Sequence, residues 1–415
     1  MTEERYNAII DYLWKVLKGT QFENHVFSVG GCERDRILGN TIKDIDLVVD
    51  IKDGGIKLAN FLQKNGHTRG NVVIYEHFGT AMFALKEFPG EELEAVQTRS
   101  ECYHDMKSRN PDTSFGTIEE DCHRRDFTIN AVYRNVSTGE VLDLNGNSFK
   151  DLEFQIIRTC GDPDIIFSED PLRILRLLRF YAKLGFSIDE ATMKGALKHK
   201  DRLSIISQER ITEEFNKILY SENAANVLSK MKRMGLFPYV YGFSNSIPVI
   251  DDEIANYIAR SNGNLILGLT SLFWKIEPLR TEEILRKMKY SNNVIKDVLF
   301  LKKMCSNEIP KSDKEIRRLI YNCISFERLC MVLSMYEVLG VNGKYISQKA
   351  LWSPDFSSMF GHRLPIDGFG VMETLNKIEG SPIIKTILNE LREMAFENPH
   401  ITKEDCITYI KNRKV

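Results

Sequence analysis

The sequence predicts an α+β fold: a mixed α/β head built on a small mixed sheet, followed by a long all-helical remainder. Three observations carry this. Strand-like runs at 26–29, 44–49, 72–75, 80–85 and 93–98, with helical stretches at 5–18 and 55–65, all fall before about residue 145. Beyond 165 the apolar residues recur at three- and four-residue spacing, as in IRRLIYNCISFERLCMVLSMYEVL at 316–339. At 415 residues the chain exceeds a single typical domain and has ample core. The expected segments are the head at 1–145 and three helical segments at 146–220, 221–300 and 301–415.

Composition is that of an ordinary globular chain, with 43% hydrophobic and 27% charged residues. A net charge of −2 argues against a generally basic nucleic-acid coat. A local excess exists, however: 173–233 holds thirteen Lys and Arg against seven Asp and Glu, the right sign for an RNA-facing segment. The eight cysteines show neither C-x-x-C pairing nor zinc spacing, which fits free thiols in a reducing compartment. MTEERYNAII is too polar and acidic for a signal or transit peptide, and LILGLTSLFW at 265–274 is too short to span a bilayer. These features predict a cytoplasmic location and no membrane segment.

The head opens its chemistry at FSVGGCERDRILGNTIKDIDLVVD, residues 27–50. Ile45, Leu47, Val48 and Val49 make 44–49 a strand. Asp44 and Asp46 then share one face, roughly 7 Å apart at the backbone. Two like charges there repel unless a divalent cation joins them. The alternative is an edge strand with two solvated aspartates. Gly30-Gly31 tips the weighing, because a backbone without Cβ atoms can approach a phosphate closely. Arg34 is suited to a two-point phosphate contact. A phosphate cradle beside a carboxylate pair points to a metal-bound nucleoside triphosphate.

HRRDFTINAVY at 123–133 places Arg124 and Arg125 together, Asp126 as an acceptor for ribose hydroxyls and Asn130 as donor and acceptor. Its alternative is a charged helix start capped by Asp126. FSEDPLRILRLLRFYAKLGF at 167–186 reads as a helix with Asp170 as N-cap, Pro171 as its first residue and Gly185 near its end. Arg173, Arg176 and Arg179 follow one stripe, while Leu172, Ile174, Leu175, Leu178 and Phe180 pack. The alternative is a solvated basic face.

Taken together, these stretches resemble the class II tRNA nucleotidyltransferases, the CCA-adding enzymes, and their bacterial poly(A) polymerase relatives. Gly30, Gly31, Arg34, Asp35, Asp44 and Asp46 match the family's first stretch, and R-R-D-F-T-x-N-A is intact at 124–131. DLNGNSFKDL at 143–152, Glu169, Asp170 and Arg173, and SQERITEEFNKIL at 207–219 follow in family order. The likeness is dense over 26–220 and looser beyond, with LPIDGF and IEGSPIIKTILNELREM within 364–394 similar to the tail segment. One departure is Glu33, where the family usually carries an apolar residue; it is expected to turn outward.

The resemblance implies template-independent addition of CMP and AMP from CTP and ATP to the tRNA 3′ end. Asp44 and Asp46 are implied to hold two Mg2+ ions. Arg34, Arg125, Arg176 and Arg179 are the candidates for neutralising phosphate charge, with Gly30, Gly31, Asp126 and Asn130 completing the nucleotide site. Glu94 is a weaker candidate for a third carboxylate, the alternative being a surface charge. Asp170 would accept from the exocyclic amino group common to cytosine and adenine, and Arg173 would donate to the neighbouring ring nitrogen. Uracil and guanine present the opposite pattern. The segments become head, neck (146–220, nucleotide selection), body (221–300) and tail (301–415, tRNA binding).

YHDMKSRNP at 103–111 has Asp105 and Arg109 at the spacing of the family's flexible loop, which argues against CC-only addition and leaves A-only addition open. A poly(A) polymerase is the other enzymatic alternative, although EHFGTAMFAL at 76–85 resembles the CCA-adding form. An RNA-binding protein that retains the fold is the non-enzymatic one, and both aspartates argue against it. The sole His-Asp dipeptide, His104-Asp105, lies in the loop, so an attached phosphohydrolase domain is not expected. Monomer and homodimer both stay open.

Overall fold

The structure, a computed structural model, describes residues 1–76, 79–102, 112–241, 250–306, 308–376 and 382–413. The chain divides into two compact units, Met1–Ile247 and Pro248–Val415.

In the first unit α1 (Glu3–Leu17) starts at Thr2, whose hydroxyl accepts the Arg5 N–H, and buries Tyr6, Ile9, Ile10, Leu13 and Leu17. β1 (Val26–Val29), α2 (Gly31–Ile37), β2 (Ile45–Val49), α3 (Gly54–Lys64), β3 (Val73–Tyr75), β4 (Thr80–Ala84) and β5 (Glu92–Gln97) follow. All five predicted strands and both helices are present within one or two residues. β2 begins at Ile45, so Asp44 lies just before the strand rather than in it.

Four further strands, β6 (Arg99–Cys102), β7 (Asp112–Phe115), β8 (Val132–Asn135) and β9 (Val141–Asp143), escape the sequence reading because each is only three or four residues long. β6 and β7 form a separate hairpin, with α4 (Ile118–His123) between it and β8. The main sheet runs β3-β4-β5-β2-β1-β8-β9, with β2 antiparallel to β1 and parallel to β5. One face packs on α1 and α3 through Leu47, Val49, Phe83, Leu93 and Ala95. Gly55 allows α3 to settle there, since a Cβ on it would meet the Ala95 carbonyl oxygen at 2.4 Å. The opposite face of β2 and β5 bears Asp46 and Glu94, which are register partners.

The unit continues as α5 (Ser148–Glu153), β10 (Ile156–Ile157), α6 (Pro163–Glu169), α7 (Leu172–Leu184), β11 (Ser187–Ile188), α8 (Glu190–Lys198), α9 (Gln208–Leu219), α10 (Ala224–Met234) and α11 (Phe237–Tyr241). α7 ends where Gly185 takes the left-handed conformation, φ +71°. Its apolar stripe of Leu172, Ile174, Leu175, Leu177, Leu178 and Phe180 is buried together with Arg173, which leaves Arg176 and Arg179 at its edge.

The second unit is helical throughout its described residues. The continuous pattern at 316–339 is two helices, Asp313–Cys323 and Phe326–Val338. Ile324 breaks it at φ +66°, and Ser325 restarts it by accepting the Arg328 N–H. Apolar spacing continues in phase across that corner, so periodicity alone does not show the break. Two cores hold the unit, one including Leu301, Ile320 and Val332 and the other Ile387, Leu391 and Ile410. No helix among the described residues is long and apolar enough to cross a membrane.

Candidate active site

The site forms where the chain leaves β1. Val29 pairs with Asp46 across the antiparallel ladder, and Gly30 then turns into α2 with φ +87°. A Cβ on Gly30 would lie 3.4 Å from Asp46 Oδ2 and 3.9 Å from Arg125 Nη1. One on Gly31 would lie 3.5 Å from Arg34 Nη2. A bare turn, a carboxylate and a guanidinium therefore converge from segments far apart in sequence.

Asp44 is exposed and Asp46 half-buried. Burial raises the Asp46 carboxyl to about 6, with the charge of Glu94 adding to it, Arg125 opposing and Asp44 adding a smaller push. This crowding is the chemistry of a cation site. Carboxylate oxygens are the hard donors that magnesium takes, usually one or two of them completed by substrate phosphates and water. No group of three or more His, Cys, Asp or Glu among the described residues is arranged to hold a metal ion.

Arg125 is held from behind. Its Nε donates to Asp121 Oδ2 at 3.1 Å and to the Tyr133 hydroxyl at 2.7 Å, and Nη2 donates to Asp121 at 2.9 Å. Nη1, which makes none of these bonds, is the Arg125 atom that comes nearest the Cβ position of Gly30. Asp121 is fully buried; burial opposes its charge, but Arg125 and Arg124 hold its carboxyl down at about 2. Sequence reasoning missed Asp121, although its spacing three and four residues before the two arginines was the available signal.

A second chain of contacts links α2 to α7. Arg34 is buried and grips Asp35 by two points at 2.8 and 2.9 Å, while its Nη1 donates to Asn130 Oδ1 at 2.6 Å. Asn130 donates to Asp126 Oδ1 at 3.2 Å, and Asp126 Oδ2 accepts from Arg176 at 2.8 and 2.5 Å. Lys183 reaches Asp35 at 3.2 Å, and Arg179 donates to Glu214 on α9 at 3.0 Å. Phe180, read from the sequence only as packing, has the guanidiniums of Arg179, Arg34 and Arg176 at 4.6, 5.3 and 5.9 Å from its ring centre. Three like charges thus share one ring, each compensated by a carboxylate.

The predicted base-reading pair is engaged with protein groups. Arg173 is buried and donates to the carbonyls of Ile166 at 3.2 Å and Arg124 at 2.7 Å. Asp170 ends α6 rather than capping α7, and Pro171 takes the cap position. The Asp170 carboxylate still accepts the Leu172 N–H at 3.1 Å, and Arg210 lies 3.6 Å from its other oxygen. Asp105 and Arg109 lie outside the described residues, between β6 and β7.

Glu33 does not turn outward. It is fully buried and accepts hydrogen bonds from Tyr6, Ser28 and Arg36. Ready-made donors on three elements make an inward carboxylate tolerable.

Residues 26–158 match the family model described as the poly A polymerase head domain, and 185–245 match the one described as a probable RNA and SrmB-binding site of polymerase A. The chain is 32% identical to the CCA-adding enzyme of Leuconostoc mesenteroides over 74% of its own length and 73% of that protein. It is 33% identical to the CCA-adding enzyme of Limosilactobacillus reuteri over 66% of its length, spanning 65% of that relative, just under two thirds. Its fold matches the Bacillus stearothermophilus CCA-adding enzyme in complex with CTP with a TM-score of 0.73 and 21% identity, over all of this chain and 98% of that one. The glycine turn, the paired aspartates and the arginine-rich helix stand in a chain that belongs to the family of CCA-adding enzymes.

Proposed function

We propose that this protein adds CMP and AMP, from CTP and ATP, to the 3′ end of tRNA without a nucleic-acid template. The observation that carries the reading is the meeting of Gly30, Asp46 and Arg125 at one point. A triphosphate laid on the Gly30–Gly31 turn brings its phosphates beside both a cation-binding carboxylate and the free Nη1 of Arg125.

Asp44 and Asp46 hold the divalent metal, in our reading two magnesium ions. When bound, these supply a lowered pKa for the RNA 3′-hydroxyl and neutralise the pyrophosphate that leaves. The chain's own residues do the rest. Arg125, fixed by Asp121 and Tyr133, directs positive charge at the phosphates without reorganising. Arg34, Asn130, Asp126 and Arg176 form a tied scaffold that holds the nucleotide's surroundings rigid. Asp170 and Arg173 select cytosine and adenine once their recognition edges turn from their present protein partners toward the base.

The division of labour is part of the same proposal: a catalytic head at 1–145, a selecting neck at 146–220, a body at 221–300 and a tRNA-gripping tail at 301–415. We place the activity in the cytoplasm, in keeping with the free cysteines.

Transcripts of one tRNA ending at the discriminator base, at C and at CC, each incubated with single labelled triphosphates, test the reading. The expected result is C, then C, then A addition. Incorporation of A only on the CC transcript would make it an A-adding enzyme, and long A tails would make it a poly(A) polymerase.

A further inference from the structure

A carboxylate with no exposed surface lies behind the glycine turn. Glu33 Oε1 accepts from the hydroxyls of Tyr6 and Ser28, the latter at 2.5 Å, and those hydroxyls are 2.7 Å from each other. Oε2 accepts from Arg36 Nε at 2.9 Å, and Arg36 also approaches Glu3 at 3.7 Å. Tyr6 and Ser28 are fully buried too. Three elements therefore close on one side chain: α1 through Tyr6, β1 through Ser28 and α2 through Glu33 itself.

Packing alone does not account for it. An apolar side chain would fill this space without the desolvation cost of a charge. What the carboxylate adds is direction. Apolar contact tolerates rotation of a helix about its axis, whereas donors on two other elements do not. The consequence lies three residues earlier. The Asp46 carboxylate lies so close to Gly30 that even a Cβ there would be at contact distance from it, so a small rotation of α2 changes the spacing between the turn and the carboxylate.

We infer that Glu33 is a positioning residue whose buried hydrogen bonds set the Gly30–Gly31 turn against Asp46, and through it the phosphates of the incoming nucleotide. This rests on the nucleotidyl-transfer reading above. Arg34 and Asp35, the next two residues, tie the same helix to α7 from its other side, so α2 is fixed on both flanks.

Two variants test it. Glu33→Gln keeps the shape and an acceptor for the two hydroxyls, but its amide N–H groups confront the Arg36 donors. Tyr6→Phe removes one donor on α1 and touches nothing at the site. Assayed well below each variant's melting temperature, Glu33→Gln is expected to raise KM for CTP about five-fold or more, because a displaced glycine turn holds the triphosphate less well. Tyr6→Phe is expected to raise it in the same direction by less, and the double variant by less than the product of the two. Affinity for tRNA without triphosphate should stay within about two-fold of the parent, since only the nucleotide site shifts. If KM for CTP stays within about two-fold of the parent in Tyr6→Phe and in Glu33→Gln, with or without a lower Tm, the carboxylate only packs and the inference fails. Should Glu33→Gln not fold, Tyr6→Phe decides on the same readout. Absence of incorporation by the parent protein would instead defeat the functional reading itself.

Discussion

The Asp126 carboxylate accepts two hydrogen bonds from Arg176, at 2.8 and 2.5 Å, across 50 positions of sequence. This pair ties the R-R-D-F-T stretch to the arginine-bearing helix. Burial opposes ionisation of Asp126, but Arg176 and Asn130 hold its carboxyl down at about 2, below the ordinary 3.8. The sign follows. Between these values the unfolded chain binds more protons than the folded one, so the stability Asp126 contributes is present above about pH 4 and is lost as pH falls toward 2. Arg176→Gln leaves a buried carboxylate without its cation, which costs about 3 kcal/mol near neutral pH. With only Asn130 and Arg173 left to oppose burial, the Asp126 carboxyl then rises from its depressed value, so the loss of that group's stability on acidification should shrink. Unfolding free energies from urea titration between pH 3 and 7 would show the change of slope.

Replacing Asp44 or Asp46 by Ala should abolish incorporation while tRNA affinity stays within about a few-fold, because the carboxylates serve chemistry rather than docking. Asp46→Asn should also leave Tm unchanged or raise it, since it removes a half-buried charge raised by burial and Glu94. Substantial magnesium-dependent activity in the double Ala variant would contradict the mechanism.

Asp170→Ala or Arg173→Ala should lower the preference for CTP and ATP over UTP and GTP, each removing a discriminating hydrogen bond of about 1–3 kcal/mol. Arg173→Ala should in addition destabilise the protein, because it strips a donor from the carbonyls of Ile166 and Arg124. Relative kcat/KM for the four triphosphates, with Tm alongside, separates the two effects. Unchanged selectivity would leave Arg173 as a brace and Asp170 as a turn residue.

Deleting 104–108 or replacing Arg109 by Ala should leave CC addition near normal and strongly depress the final A. The pocket must change from a pyrimidine to a purine while Asp170 and Arg173 stay the same, and we propose the hydrophilic 103–111 segment as the lever for that change. Extension of a tRNA lacking its last three nucleotides should stall at CC. Equal loss of all three additions, or no loss, would count against the loop.

Much of this was legible along the chain. β-branched runs bounded by turn residues placed β1 and β2 to within a residue, and the glycine pair and the two aspartates lie close enough in sequence for their chemistry to be read locally. Asp121 and Phe180 were not read as site residues. One looked like any acidic helix residue and the other like any core aromatic, because a side chain's own element says which face it occupies and nothing of what meets it there.

In the head, β1 to β5 with α1 and α3, and the types of group available for chemistry, were determined by local pattern alone, since periodicity and turn preference act over a few residues. Tertiary structure decided which charges are spent on one another and which are free. Arg34 is bound to Asp35 and Asn130, whereas Arg125 keeps Nη1 at the glycine turn. Glu33 shows the same division most plainly. Ser28 and Arg36 stand near it in sequence, but that they meet a buried carboxylate together with Tyr6, 27 residues away, is settled only by folding, because a buried charge is placed by whichever partners folding brings to it.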